Sequence, residues 1–240
     1  KDGSWGWSYA DLYIRNWSES QVTAGSGDDT ITLTGTVESK THNNSWSSGY
    51  YGNGNGYGRI YGEDGNDTID ASKTSAAYEL NGGAGDDIIY GAQEYTGEIH
   101  GGAGDDTILF GKGEIASNRW TYVYGGAGDD TITSSTTLGA TNTTIYGGFG
   151  DDIINAGDGD YRIYGDNDYW YWYYYGIGDS GNDTITAGAG NDSIWGGYGD
   201  DIINAGDGDN TVYGGDGNDS LTGGSGVDVI EGGEGNDIFQ

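Results

Sequence analysis

The sequence contains no cysteine, so no disulfide holds it together. It contains no methionine, begins at Lys1 and shows no signal peptide, which predicts a mature or trimmed product or a part of a longer one. Basic residues are scarce: eight Lys and Arg stand against thirty-nine Asp and Glu, a net charge of −31. So acidic a surface excludes nucleic acid as a partner. Without counter-ions the chain also repels itself. No apolar run approaches the roughly 20 residues that cross a bilayer. The signatures of catalysis are missing too. The two histidines, His42 and His100, sit in no H-E-x-x-H spacing, no Cys nucleophile exists, and no G-x-S-x-G elbow appears. A glycosidase-like pair such as Glu98 with Glu114 is the one enzymatic alternative; the expectation is a protein without catalysis. Hydrophobic residues make up only 33%. With this charge that composition ordinarily means disorder, unless the carboxylates stand where cations are expected.

What is present is a repeat. Residues 187–240 divide into six nine-residue units, each close to G-G-x-G-[N/D]-D-x-U-x with U an Ile, Leu, Val or Phe. Six positions carry turn chemistry, with glycines for φ > 0 and close backbone approach. Three form a strand too short to stand alone, which must stack on its own copies. One strand per nine residues with a turn at each end makes a flattened right-handed coil of eighteen residues. Ten units fall on one edge of such a coil, and each has Asp at its sixth position: Asp29, Asp67, Asp87, Asp106, Asp130, Asp152, Asp183, Asp201, Asp219 and Asp237. Each also has Asp or Asn just before it.

This register resembles the RTX calcium-binding nonapeptide, a family whose fold is a parallel β-roll. The resemblance implies Ca²⁺ held between stacked turns by the sixth-position Asp and by turn carbonyls. The chemistry agrees, because calcium takes six to eight oxygens. On the other edge the matching ligands are Asp192 and Asp228, while Asn210 replaces Asp between them and Tyr161 stands in the ligand position of residues 156–164. Calcium predicts an unfolded or loose metal-free chain that folds on binding. Weak sites fill at the roughly millimolar calcium outside cells, so the expected location is extracellular, secreted or at the cell surface.

The sequence therefore predicts an all-β, right-handed parallel β-roll of about ten two-strand coils, roughly 50 Å long at about 4.8 Å per coil. It spans residues 24–240, with residues 1–23 as a cap over the first coil or an arm to a neighbour. Loops replace turns at 33–58, 71–78, 91–97, 110–121 and 134–143 on the second edge, and 165–177 interrupts the first. The inward row on one sheet is Ile31, Ile69, Ile89, Ile108, Ile132, Ile154, Ile185, Ile203, Leu221 and Phe239. On the other it is Ile60, Leu80, Ile99, Val123, Ile145, Ile163, Ile194, Val212 and Ile230.

Aromatics are the other presence. Tyr61, Tyr124, Tyr146, Tyr164, Trp195 and Tyr213 follow the inward residue of the second sheet and should form an outward stripe, either simple cross-strand packing or an interaction face. The run Tyr169, Trp170, Tyr171, Trp172, Tyr173, Tyr174 and Tyr175 lies in the 165–177 insertion. It either folds onto that stripe or docks a partner. Three functions follow: a structural subunit that self-assembles into a filament, surface layer or matrix through open coil ends and aromatic surfaces; the C-terminal calcium module of a larger exported protein; or a polysaccharide-binding module. Ice binding is not expected, since the third turn position carries no Thr array.

Overall fold

The computed structural model describes residues 11–15, 21–35, 59–74, 76–93, 95–111, 120–135, 140–166 and 181–240. These residues form parallel strands and no helix, stacked as a β-solenoid of two facing sheets. The first sheet has eleven strands in the order β1 (Asp11–Arg15), β3 (Thr30–Gly35), β5 (Thr68–Thr74), β7 (Ile88–Tyr90), β9 (Thr107–Phe110), β11 (Thr131–Ser134), β13 (Ile153–Gly157), β15 (Thr184–Ala187), β17 (Ile202–Asn204), β19 (Ser220–Thr222) and β21 (Ile238–Phe239). The second has ten: β2 (Gln21–Ser26), β4 (Arg59–Asp64), β6 (Ala76–Ala84), β8 (Tyr95–Ala103), β10 (Thr121–Ala127), β12 (Ala140–Phe149), β14 (Gly159–Asp166), β16 (Ser193–Tyr198), β18 (Thr211–Asp216) and β20 (Val229–Glu234). Strands alternate between the sheets along the chain. The expected count of about ten coils is slightly off, because the N-terminal segment enters the sheets itself: β1 pairs with β3 and β2 with β4.

Register is held by the inward row. Ile31 pairs with Ile69, Ile69 with Ile89, Ile89 with Ile108, and Ile108 with Ile132, although successive coils differ in length. A slip of one residue would turn each Ile outward, so the register is kept whatever the length of the coil. The inward rows are fully buried except at the last coil, where Ile230 is half-buried and Phe239 exposed. Phe239 lies on β21, whose one partner strand is β19.

The second edge departs from expectation. Much of what reads as loop is strand: Leu33–Gly35, Ala71–Thr74, Ala76–Tyr78, Tyr95–Gly97 and Ala140–Thr143 belong to β3, β5, β6, β8 and β12. Leu33, Ala71, Thr74, Ala77, Ala92, Thr96, Phe110, Thr121, Ser134, Thr143 and Tyr161 are buried there. Apolar and hydroxyl side chains fill this edge in the early coils, whereas downstream the space closes down to Ala156, Ala187 and Ala205.

The 165–177 insertion is also placed differently. Gly165 lies in β14 and takes the place of a first turn glycine: a Cβ on it would collide with Asp183 Oδ2 and the Gly196 carbonyl. Asp166 pairs in register with Gly148, so it occupies the second turn position. Gly181 then resumes the turn, since a Cβ on it would meet the Gly150 carbonyl as one on Gly199 meets Gly181. The repeat is therefore interrupted inside a turn, between Asp166 and Gly181, and not between units. The aromatic run 169–175 lies outside the described residues.

Candidate metal centre: a double ladder of turn carboxylates

The sixth-position aspartates are brought into one file along the first edge. Each turns inward beneath its own turn, and from Asp67 to Asp219 they are about 1% exposed. From Asp67 onward, one carboxylate oxygen of each is committed to the backbone. Asp29 N–H donates to Asp67 Oδ1, Asp67 N–H to Asp87 Oδ1, Asp87 N–H to Asp106 Oδ1, and so on to Asp219 N–H and Asp237 Oδ1, at 2.6–3.1 Å. Each coil is thereby tied to the one before it.

The fifth position makes a second ladder of opposite sense. Here the side-chain oxygen accepts from the following coil: Asn66 N–H donates to Asp28 Oδ1, Asp86 N–H to Asn66 Oδ1, Asp105 N–H to Asp86 Oδ1 and Asp129 N–H to Asp105 Oδ1, at 2.9–3.1 Å. One acceptor oxygen is all that this position requires, so Asn and Asp interchange along it. It is exposed, and the ladder continues through Asp151, Asn182, Asp200, Asn218 and Asn236. Sequence reasoning noted the Asp-or-Asn pair but assigned the fifth residue no role. The signal was there in the free exchange of the two types.

The sixth position asks for more than an acceptor. The second oxygens of Asp67, Asp87, Asp106, Asp130, Asp201 and Asp219 are buried with no donor. Around them are other acceptors. A Cβ on Gly62 would collide with both Asp67 Oδ2 and the Gly82 carbonyl, and the same pair of collisions recurs at Gly82, Gly101, Gly125, Gly196 and Gly214. A carboxylate oxygen and a carbonyl oxygen thus crowd one small volume at each junction. A buried carboxylate oxygen that has no donor and faces a carbonyl oxygen is unstable unless a cation or a proton joins them. Burial pushes the carboxyl of Asp106 up to about 8, that of Asp201 to about 8, Asp130 to about 7 and Asp87 to about 6, with neighbouring aspartates adding to the rise. Asp67 and Asp219 are raised for the same reason.

Among the described residues no three His, Cys, Asp or Glu side chains close on one point. A cation at these junctions therefore takes most of its oxygens from turn carbonyls, in keeping with the hard-oxygen preference of calcium. The residues present fit that ion: a buried carboxylate, adjacent carbonyls, and glycines that leave the approach open.

The second edge contains its own control. Asp192 N–H donates to Asn210 Oδ1, and Asn210 N–H to Asp228 Oδ1, at 2.9 Å each, so the backbone ladder runs unbroken through the substitution. Asn210 Nδ2 then points at the carbonyls of Gly223 and Gly208, at 3.4 Å each. At Asp201 the equivalent oxygen meets the Gly214 carbonyl, acceptor against acceptor; at Asn210 a donor meets it. One coil upstream, Tyr161 keeps the ladder by donating its N–H to Asp192 Oδ1, but its ring is buried and its hydroxyl bonds with Ser134 Oγ at 2.9 Å. Asp192 is itself pushed up to about 7 by burial, with an unpartnered Oδ2.

The aromatic stripe forms on the outer face of the second sheet. His100, Tyr124, Tyr146, Tyr164, Trp195 and Tyr213 stack in one column, with ring centroids 4.6–5.7 Å apart and planes within 2–12°. His100 stands in this column, as its place directly after the inward Ile99 predicts, and is no catalytic base by position. Tyr61 does not join it, because Asn81 holds the intervening coil; its hydroxyl donates to Glu79 Oε1 at 3.0 Å. The ring faces cover one another, so the stripe turns its edges to solvent.

A parallel β-roll with an inward carboxylate file and an outward carboxamide-or-carboxylate file is the architecture of a repeat built around cations. Residues 52–73, 79–93, 98–114, 122–135, 138–169, 177–212 and 205–239 match the profile of the RTX calcium-binding nonapeptide repeat (four copies). These segments make up more than half of the chain, and the protein belongs to that family; its repeats bind multiple Ca²⁺ ions. No curated protein matches the chain. The fold is a structural calcium-binding one, and repeats of this family occur in secreted proteins. Among the described residues no helix is long and apolar enough to cross a membrane.

Proposed function

We propose that the first-edge aspartates Asp29 to Asp237, with Asp192 and Asp228 on the second edge, hold the calcium that folds this rod, and that the folded rod is a non-catalytic extracellular structural element that assembles with copies of itself. The observation that carries the calcium assignment is the row of buried Oδ2 atoms set against carbonyl oxygens. Bound calcium supplies the positive charge that lets these carboxylates ionise while buried; the chain supplies the ladder hydrogen bonds that aim them. Support for a structural role comes from where the other distinctive residues lie. Among the described residues they form rows along the rod, such as the six-ring column.

Family membership favours a second reading, a calcium-binding module of a larger exported protein. A polysaccharide-binding role has less to support it, because a sugar ring stacks on an aromatic face and these faces are covered. Electron microscopy of the purified chain in about millimolar calcium, before and after a chelator, separates the first two. Ordered assemblies that dissolve on chelation support the structural element. Dispersed rods that merely unfold on chelation favour the module.

A further inference from the structure

The acidity of this protein is distributed unevenly, and one long face escapes it. On the first sheet the residues before and after the inward row point outward, and together they form two columns across ten coils. The first runs Thr30, Thr68, Ile88, Thr107, Thr131, Ile153, Thr184, Ile202, Ser220 and Ile238; all but Ser220 are β-branched. The second column holds Thr, Asn, Tyr, Leu and Gln, with a single carboxylate, Asp70. That carboxylate is engaged by Lys73 Nζ at 3.4 Å and by the Ser72 hydroxyl at 2.5 Å. In a chain of net charge −31 this face carries no unpaired charge. It nevertheless exposes large apolar side chains: Ile153 is 46% exposed and Ile202 56%.

We infer that this face is where two copies of the rod pair side by side, sheet against sheet. The inference rests on the self-assembling reading above and names the surface responsible. Parallel sheets are ordinarily covered on both faces, and among the described residues nothing packs on the outer face of the first sheet. Its strand triplets, such as Thr131–Thr133, Ile153–Asn155 and Ile202–Asn204, are uncharged, lack Gly and Pro and are rich in β-branched residues, the composition that interdigitates between facing sheets. Charge selects a second copy as the occupant. Any other side-by-side approach between two such rods sets carboxylate edges or charged side chains against each other. The second sheet's outer face carries Arg59, Glu79, Glu98, Arg162 and Glu231, and its rings already cover one another. The area suffices for a specific contact of modest strength. Ten coils at about 4.8 Å by three residues at about 3.3 Å give roughly 480 Å² per copy, near the total of about 1,000 Å² expected of a specific interface. The contact is isologous, so it closes as a two-fold pair, and it exists only once calcium has folded the rod.

The test is sedimentation velocity in about millimolar calcium on the wild-type chain and on the double variant Ile153→Asp, Ile202→Asp, with circular dichroism of both. The outward carboxylates should leave the calcium-dependent β signal unchanged and weaken self-association at least about 100-fold, since like charges placed face to face in a contact cost several kcal/mol. An associating wild type with a folded, monomeric variant supports the inference. If both associate equally, this face is not the contact, although self-assembly stands. If the folded wild type stays monomeric at tens of micromolar, self-assembly fails and this contact with it. Should the double variant misfold, the polar pair Ile153→Asn, Ile202→Asn is read the same way.

Discussion

The two edges of the roll close the same coil by different means. Along the first edge the turns from Gly62 to Asp219 repeat one arrangement of glycine, carbonyl and inward carboxylate. Along the second edge the early coils are closed by Phe110, Thr121, Thr143 and Tyr161, and only the late ones by Asp192, Asn210 and Asp228. Side chains that bury themselves need no ion; carboxylates that bury themselves do. The comparison implies that calcium is required along one whole side of the rod and only at one end of the other.

Removing calcium breaks the comparison most severely. The junctions at Asp67, Asp87, Asp106, Asp130, Asp201 and Asp219 then each hold a buried carboxylate oxygen without a donor, and the charge of −31 is no longer neutralised. Chelation should lower the melting temperature steeply and diminish the β signal in circular dichroism, and readdition of calcium should restore both. A chain that keeps its full spectrum in excess chelator would show that the second edge and the Ile rows suffice alone.

The next test sets one residue from each edge side by side. Asp106→Asn keeps the acceptor for Asp87 N–H but replaces the buried oxygen with an amide. It should lose one bound calcium and about 2.7 kcal/mol of stability where calcium stands at a hundred times its Kd. Tyr161→Ala removes a buried ring and its bond to Ser134. It should cost about 3–5 kcal/mol and leave calcium stoichiometry unchanged. Equal loss of calcium in both variants, read by atomic emission on desalted protein, would contradict the division between edges.

Much of this arrangement is legible in the sequence because turn chemistry is local and the nine-residue period is strict. The inward Ile rows are placed correctly up to the exposed last coil, and the sixth-position aspartates stand in one file. What stays hidden has physical causes. Thr96, Thr121 and Thr143 look like loop residues, since nothing in a lone polar residue announces burial, and the strands of the second edge are longer than their composition indicates. The break between Asp166 and Gly181 splits one motif into two pieces that each look incomplete. Arg162-Ile163-Tyr164-Gly165 repeats Arg59-Ile60-Tyr61-Gly62, which opens a first-edge turn, and that likeness marks Gly165 as a turn glycine.

Acid should sharpen the contrast between the metal-free and the calcium-loaded rod. The carboxyls of Asp87, Asp106, Asp130, Asp192 and Asp201 sit at about 6 to 8 when folded, against an ordinary 3.8. They bind protons more tightly folded than unfolded. Their stabilising protonation is complete below the unfolded value and is lost as pH rises through the folded ones. Without calcium, the melting temperature should rise as pH falls from about 8 to about 5. With calcium the increment due to the ion should shrink over the same range, because protons compete for the same oxygens. A metal-free melting temperature that falls toward acid would mean that these carboxyls are not buried as described.

Asn210→Asp moves the second edge toward the first. It exchanges a donor to the Gly223 carbonyl for an acceptor, recreating the arrangement at Asp201. The variant should bind one more calcium than the wild type and be less stable in chelator, where the new carboxylate has no partner. Unchanged stoichiometry would show that the late second-edge turns do not share the first edge's geometry.

The smallest effect lies within the first edge itself. Glu63 occupies a second turn position held by glycine at Gly83, Gly102 and Gly126, and its φ of 82° is one that side chains adopt at a cost. The left-handed region costs an ordinary residue about 1–2 kcal/mol. Its side chain is exposed and removes nothing from the core when deleted. Glu63→Gly should therefore raise the melting temperature in calcium by about 2–4 °C for each kcal/mol of strain relieved, with stoichiometry unchanged. A fall instead, accompanied by weaker calcium binding, would mean that the Glu63 carboxylate supplies an oxygen to the ion in that turn. The strain would then be a cost borne for a ligand that the regular turn does not have.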